Sequence, residues 1–190
     1  AGFVLFFPKS KRNITIEQAK EIMQALDPSI KKTAVVVKPS IEQIRQIEAA
    51  GFDYIQIHGM INPALFSQIR LPVLKAFNVK DMDTIADYRL DKNVAGYVFD
   101  AHEPGSGKSF DWSMLSDIPR DNKLFFLAGG ISADNVKEAI KKLSPDGIDV
   151  STGVEYNASN KTGKDPQKIE EFVRIIRTEQ KTYNRFSFYK

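Results

Sequence analysis

The residue types in this chain that could do chemistry fall just after short apolar runs. Leu124–Ala128 lead into Gly129 and Gly130, and Ile148–Val150 lead into Ser151, Thr152 and Gly153. Glycine reaches backbone dihedrals closed to other residues, and successive main-chain N–H groups in such a turn can surround an anion. Two tight turns without a ligand fit the same residues. Asp100 ends the apolar run Ala95–Phe99, where a carboxylate needs either a hydrogen-bond partner in the next loop or a proton to transfer. His58 closes Tyr54–Ile57 and is either a pocket donor or a structurally satisfied imidazole. Arg12, in the loop PKSKR, has the planar fork that grips a carboxylate, though it is equally one charge in a solvated loop. His102 and Glu103 read as surface residues.

Other chemistries drop out on composition and spacing. There is no cysteine, so disulfides, thiolate metal sites and a cysteine nucleophile are excluded within these residues. The two histidines form no metal-ligand pattern. PGSGKS (104–109) looks like a nucleotide-binding loop but fails on spacing, because the position of the first glycine holds His102. No dinucleotide fingerprint follows the first strand. The net charge of +3 reflects 27 basic against 24 acidic residues spread along the chain, a small excess that could help attract an anionic metabolite but is no argument for a nucleic-acid partner. No apolar run approaches the roughly 20 residues of a membrane span, and the N-terminal AGFVLFF is a poor signal peptide, which favours a cytoplasmic location.

These residues need elements to position them. Gly2–Phe7 reads as a buried strand. Thr15 with Gln18 forms a capping box before a helix with Ala19, Ile22, Met23 and Leu26 inward. Thr33–Val37 is a strand, and Ser40 with Gln43 caps a second helix ending at Gly51. Tyr54–Ile57, Leu71–Phe77 and Ala95–Phe99 are further strands; Asn62-Pro63, the region of Met82 to Ala86, and Trp112–Leu115 carry short helices. Ser132 should cap a helix that presents Val136, Ala139, Ile140 and Leu143 on one face. Asp165-Pro166 opens a final helix with Ile169, Phe172, Val173 and Ile176 inward. Seven strands alternating with seven helices imply an α/β protein with a parallel sheet, either doubly wound or a (β/α)8 barrel. In both, functional groups gather at the C-terminal ends of strands.

Taken together, GFVLFFPKSKR (2–12), YIQIHG (54–59), LPVLKAFNV (71–79), FDAHEPGSGKSFDW (99–112), LAGGISADNV (127–136), DVSTGVE (149–155) and KDPQKIEEFV (164–173) resemble phosphoribosylanthranilate isomerase, a tryptophan-biosynthesis family. The resemblance implies a (β/α)8 TIM barrel whose first βα unit is absent from this chain, with residues 1–177 as one domain and 178–190 as a tail. It implies an Amadori rearrangement of an aminoaldose, N-(5-phosphoribosyl)anthranilate, with no cofactor and no metal. Asp100 would be the general acid, while Gly129, Gly130, Ser151, Thr152 and Gly153 hold the phosphate and Arg12 meets the anthranilate carboxylate. His58 joins the substrate-binding set. The partner would be a small phosphosugar, with neither nucleic acid nor membrane, and the assembly a monomer or homodimer. The family's general-base cysteine lies on the strand expected to be missing. An alternative is therefore a phosphosugar-binding barrel with impaired or no turnover; a third reading recruits another base, such as His58. Departures are Pro104 for a usual glycine and Thr152 for a common serine. Phe186 and Phe188 share strand register within Tyr183–Tyr189, so the tail is either a substitute stave or a surface segment.

Overall fold

Phe6 marks the first boundary. Strand β1 (Gly2–Leu5) stops there because Phe6 turns to φ 57, a left-handed conformation in which no strand continues. The chain then folds back far enough for a two-residue strand, β2 (Asn13–Ile14), to pair in parallel with β1. The Asn13 side chain fixes that return, accepting from the Phe7 N–H at 2.7 Å. The sequence gives no sign of this strand, since two residues carry no periodicity.

The computed structural model describes residues 1–100, 112–157 and 161–183. It divides into two compact units, Ala1–Tyr97 and Val98–Lys190.

In the first unit, α1 (Ile16–Ala25) and α2 (Ile41–Ala50) begin with the expected capping boxes at Thr15 and Ser40, and α2 ends at Gly51 with φ 87. Between them lies β3 (Thr33–Val37); after them come β4 (Tyr54–His58), α3 (Pro63–Phe66), β5 (Val73–Asn78), a 3₁₀ segment (Val79–Thr84) and α4 (Ile85–Arg89). The strand order is β2-β1-β3-β4-β5, and all four of its neighbouring pairs are parallel. Ala34, Val36, Ile55, Ile57 and Val73 are buried, each large side chain among them contributing about 1.5–3 kcal/mol. One helix expectation needs correction. Ile16, Ala19, Met23 and Leu26 lie on the inward side of α1, whereas Ile22 is 45% exposed because its position falls off that stripe.

An unexpected group sits between β5 and α4. The Lys75 side chain is 1% exposed, donates to its neighbour's carbonyl, Ala76 O, at 2.6 Å, and lies 4.4 Å from the Phe77 ring centre and 5.1 Å from that of Tyr88. Tyr88 also meets Phe66 and Phe77 edge-on, and Phe77 meets Tyr97.

Strand β6 (Val94–Asp100) begins in the first unit and ends in the second. The second unit continues with α5 (Ser113–Ser116), β7 (Leu124–Ala128), α6 (Val136–Leu143), β8 (Gly147–Ile148), a 3₁₀ turn (Thr152–Val154) and α7 (Pro166–Tyr183). Strands β7 and β8 pair in parallel, and Asp149 N–H extends the ladder to Leu127 O. The β8 ladder is thus shorter than Ile148–Val150 suggests and starts one residue earlier. Glycine at 147 gives the Phe126 ring room, since a Cβ there would lie 2.4 Å from the ring and force it to move. Arg120 closes the C-terminus of α6, donating to Leu143 O and Ser144 O while stacking 3.7 Å over Phe125. Val136, Ala139, Ile140 and Leu143 are buried as the pattern predicts.

Two further expectations are corrected in this unit. Ser132 caps the turn before α6 rather than the helix itself, which starts at Val136. On α7 the inward side holds Lys168, Phe172, Ile175, Ile176 and Glu179, so Phe172 and Ile176 lie inward as expected, while Ile169 and Val173 are 39% and 37% exposed. The helix is rotated by roughly 65° from the apolar stripe, at about 100° per residue. Polar contacts explain the turn: Lys168 donates to Glu155 O and Asn157 Oδ1, and Glu179 pairs with Lys137 of α6. Helix α7 runs through Tyr183, and residues 184–190 of the anticipated tail strand lie outside the described residues.

Candidate active site

In the second unit, two glycine-bearing turns form one structure. Gly129 and Gly130 follow β7 at φ 80 and φ 65, which explains the residue type at both. Asn135 secures this turn, its side chain donating to Gly130 O at 2.9 Å and accepting from Ser132 N–H at 2.9 Å. After β8, Ser151 takes φ −129 and ψ −78, and Gly153 presses against the first turn. A Cβ on Gly153 would fall 2.1 Å from Ile131 O and 3.0 Å from the Ser132 Cα, both backbone atoms that cannot swing aside. Gly129, Gly130, Ser151, Thr152 and Gly153 are therefore brought together through their loops.

A brace from the start of α7 holds the second turn. Glu155 and Lys164 form an antiparallel bridge, and Asp165 N–H donates to Val154 O at 2.8 Å. Lys164 Nζ donates to Ser151 O at 2.8 Å and to Ser151 Oγ at 2.9 Å, and pairs with Glu155 at 3.1 Å. Lys164 and Lys168 escaped the sequence reading; the only local signal is their place around the Asp165-Pro166 helix start. Asp100 belongs to this unit as the half-buried last residue of β6, one position beyond Phe99, whose ring lies 4.6 Å from that of Phe125 on β7.

The first unit carries its own polar groups at strand ends. Arg12 is half-buried in the turn between β1 and β2, its N–H bonded to Ser10 Oγ. His58, also half-buried, ends β4 with Nε2 3.0 Å from Gln56 Nε2, a pairing in which the imidazole nitrogen accepts when the amide donates. Lys38 leaves β3 at φ 45, donates its N–H to His58 O, and lays its stem along Gly59. Such a left-handed non-glycine residue is strained, and strain of this kind concentrates at functional positions. Neither Gln56 nor the Lys38 conformation was legible in the sequence. His102, Glu103 and PGSGKS lie outside the described residues. Among the described residues, no group of three or more His, Cys, Asp or Glu side chains is placed to hold a metal.

Parallel βα units with polar groups at the C-terminal ends of their strands, and glycine turns after the last two, define an α/β protein of the (β/α)-barrel class. A family model described as N-(5'phosphoribosyl)anthranilate (PRA) isomerase matches residues 2–175. The N-(5'-phosphoribosyl)anthranilate isomerase of Listeria welshimeri is 41% identical over 181 residues, covering 93% of this chain and 86% of the relative. The crystal structure of the Thermotoga maritima phosphoribosyl anthranilate isomerase is similar at a TM-score of 0.79 and 34% identity, covering 93% and 87% of the two chains. Another, solved with reduced 1-(o-carboxyphenylamino)-1-deoxyribulose 5-phosphate, gives 0.76 and 31%, covering 93% and 86%. This chain belongs to the phosphoribosylanthranilate isomerase family, and its fold class is the (β/α)8 barrel that the resemblance implied.

Proposed function

We propose that this protein is a phosphoribosylanthranilate isomerase of tryptophan biosynthesis, converting N-(5-phosphoribosyl)anthranilate to 1-(2-carboxyphenylamino)-1-deoxyribulose 5-phosphate. The observation that carries this reading is the similarity, over 93% of the chain, to an isomerase solved with the reduced form of that product. The reaction moves hydrogen within one molecule and needs no external oxidant or reductant. Asp100 protonates the ribose ring oxygen as the C–O bond breaks, and the anthranilate nitrogen lone pair forms an iminium. Loss of a proton from the neighbouring carbon gives the enolamine, which tautomerises to the aminoketose. The resemblance assigns that second transfer to a cysteine, a residue type absent from these 190 residues, so Asp100 answers for ring opening only.

The substrate phosphate sits in the turns at Gly129–Gly130 and Ser151–Gly153, where backbone N–H groups and the Ser151 hydroxyl donate to it. Arg12 meets the anthranilate carboxylate with two parallel N–H bonds. His58, held by Gln56, contributes a further polar contact at the β4 end. The protein acts on a phosphosugar in the cytoplasm, as a monomer or homodimer and without nucleic acid; among the described residues no helix is long and apolar enough to cross a membrane. The test is consumption of N-(5-phosphoribosyl)anthranilate by the purified chain. Asp100→Asn should lower kcat by about 10²–10⁴-fold, the usual worth of general acid catalysis. Full turnover in that variant would remove Asp100 from the mechanism, and no turnover by the unmodified chain would overturn the isomerase reading.

A further inference from the structure

Lys164 lies beyond the strand ends, yet two protons of its ammonium have destinations on Ser151 and the third on Glu155. An ammonium has three donors and no acceptor. Here they meet Ser151 O, Ser151 Oγ and Glu155 Oε1, at 2.8, 2.9 and 3.1 Å. The stem is fixed by the Glu155–Lys164 bridge, and Tyr156 N–H to Gly163 O closes the same hairpin.

Two consequences follow for the turn. The Ser151–Thr152 peptide is trans and planar, so its carbonyl and the Thr152 N–H point in opposite directions. Ser151 O is held by two donors, Lys164 Nζ at 2.8 Å and Val154 N–H of the 3₁₀ turn at 3.3 Å, and its fixed direction turns Thr152 N–H to the other side of the peptide. The Ser151 hydroxyl oxygen is occupied as an acceptor from a group that cannot accept in return. Its own proton must be donated elsewhere.

We propose that Lys164 is a positioning residue for the substrate phosphate: by holding the Ser151 carbonyl and hydroxyl it aims Thr152 N–H and the Ser151 O–H proton at the anion. This rests on the reading of the two glycine turns as the phosphate cradle. Glu155 offsets part of the lysine charge, so orientation, more than net charge, sets the affinity. Lys168 is the internal comparison. It staples the same loop through Glu155 O and Asn157 Oδ1 but makes no contact with Ser151 in the structure.

The test uses the full chain and titrates inorganic phosphate and ribose 5-phosphate by calorimetry, alongside steady-state turnover. Lys164→Met should weaken both ligands and raise KM by about 10-fold or more, the range expected for charge-assisted hydrogen bonds. Its kcat should stay within about three-fold, and Lys164→Arg should recover part of the loss. Lys168→Met should change affinity by less than about two-fold. Should Lys164→Met fail to fold, Lys164→Gln, which keeps two N–H donors, is read in the same way. The proposal is overturned if Lys164→Met binds both ligands like the unmodified chain, if it lowers kcat with KM unchanged, or if Lys168→Met matches its loss of affinity. If the unmodified chain binds neither ligand, the cradle reading fails and the role of Lys164 falls with it.

Discussion

At the scale of single residues, Lys75 shows an unfavourable group tolerated inside a core. Burial holds its amine well below the ordinary 10.5, at about 8, because the loss of water outweighs the attraction of Asp81. The contacts with the Phe77 and Tyr88 rings and with Ala76 O compensate only in part. Between pH 8 and 10.5 the unfolded chain therefore binds a proton that the folded chain has released, so stability must rise with pH across that window. Tyr88 sets the upper limit. Burial, then Asp87 and Asp81, raise its phenol above 10 against an opposing hydrogen bond with the Ile61 backbone, so its ionisation favours the unfolded chain. Urea midpoints measured from pH 7 to 11 should climb to a maximum near pH 10 and then fall. In Lys75→Met the climb should disappear and stability at pH 7 should increase, since a packed thioether carries no charge to desolvate. A midpoint that falls steadily above pH 8 in the unmodified protein would contradict this account.

At the scale of elements, α1 and α7 show what a helix pattern can and cannot say. The capping boxes at Thr15 and Ser40 depend on residues three apart in the same chain segment and form as the local sequence dictates. The rotation of α7 depends on residues far away in sequence, namely Glu155, Asn157 and Lys137. Substitutions on α7 distinguish the two faces. Phe172→Ala should cost about 3–5 kcal/mol, since it empties a buried site, whereas Ile169→Ala should stay within about 0.5 kcal/mol. Chemical denaturation of the two variants measures the difference, and equal losses would restore the simple apolar stripe. The same reasoning applies to β2, whose return is fixed by Asn13 accepting from the Phe7 N–H rather than by any periodicity in its two residues, Asn13 and Ile14.

At the scale of the whole molecule, stability at the acid end depends on carboxylates that join separate segments. Asp53 is pushed up by burial but held lower, below the ordinary 3.8, by Lys32 N–H and the Lys31 ammonium. Glu48 feels the same opposition, with Arg70 N–H and the Arg45 guanidinium winning. Both carboxyls bind protons less readily folded than unfolded. Their contribution is complete above the unfolded values and is lost as pH falls through the folded ones. Urea midpoints should decline below about pH 4.5, and Asp53→Asn with Glu48→Gln should flatten that decline; an unchanged slope would place the acid sensitivity elsewhere.

The sequence by itself determined the alternation of strands and helices, both capping boxes, the α2 stop at Gly51 and the two glycine turns. Each rests on neighbours within a few positions, where hydrogen bonding and hydrophobic period act directly. The same locality made Asp100, Arg12 and His58 recognisable as strand-end residues. Tertiary structure alone decided that Gly153 must lack a side chain against Ile131 O, that Lys164 grips Ser151 from thirteen residues away, and that Lys75 is buried among aromatic rings. Those facts depend on which atoms approach across long stretches of chain, and no spacing along the sequence encodes such distances.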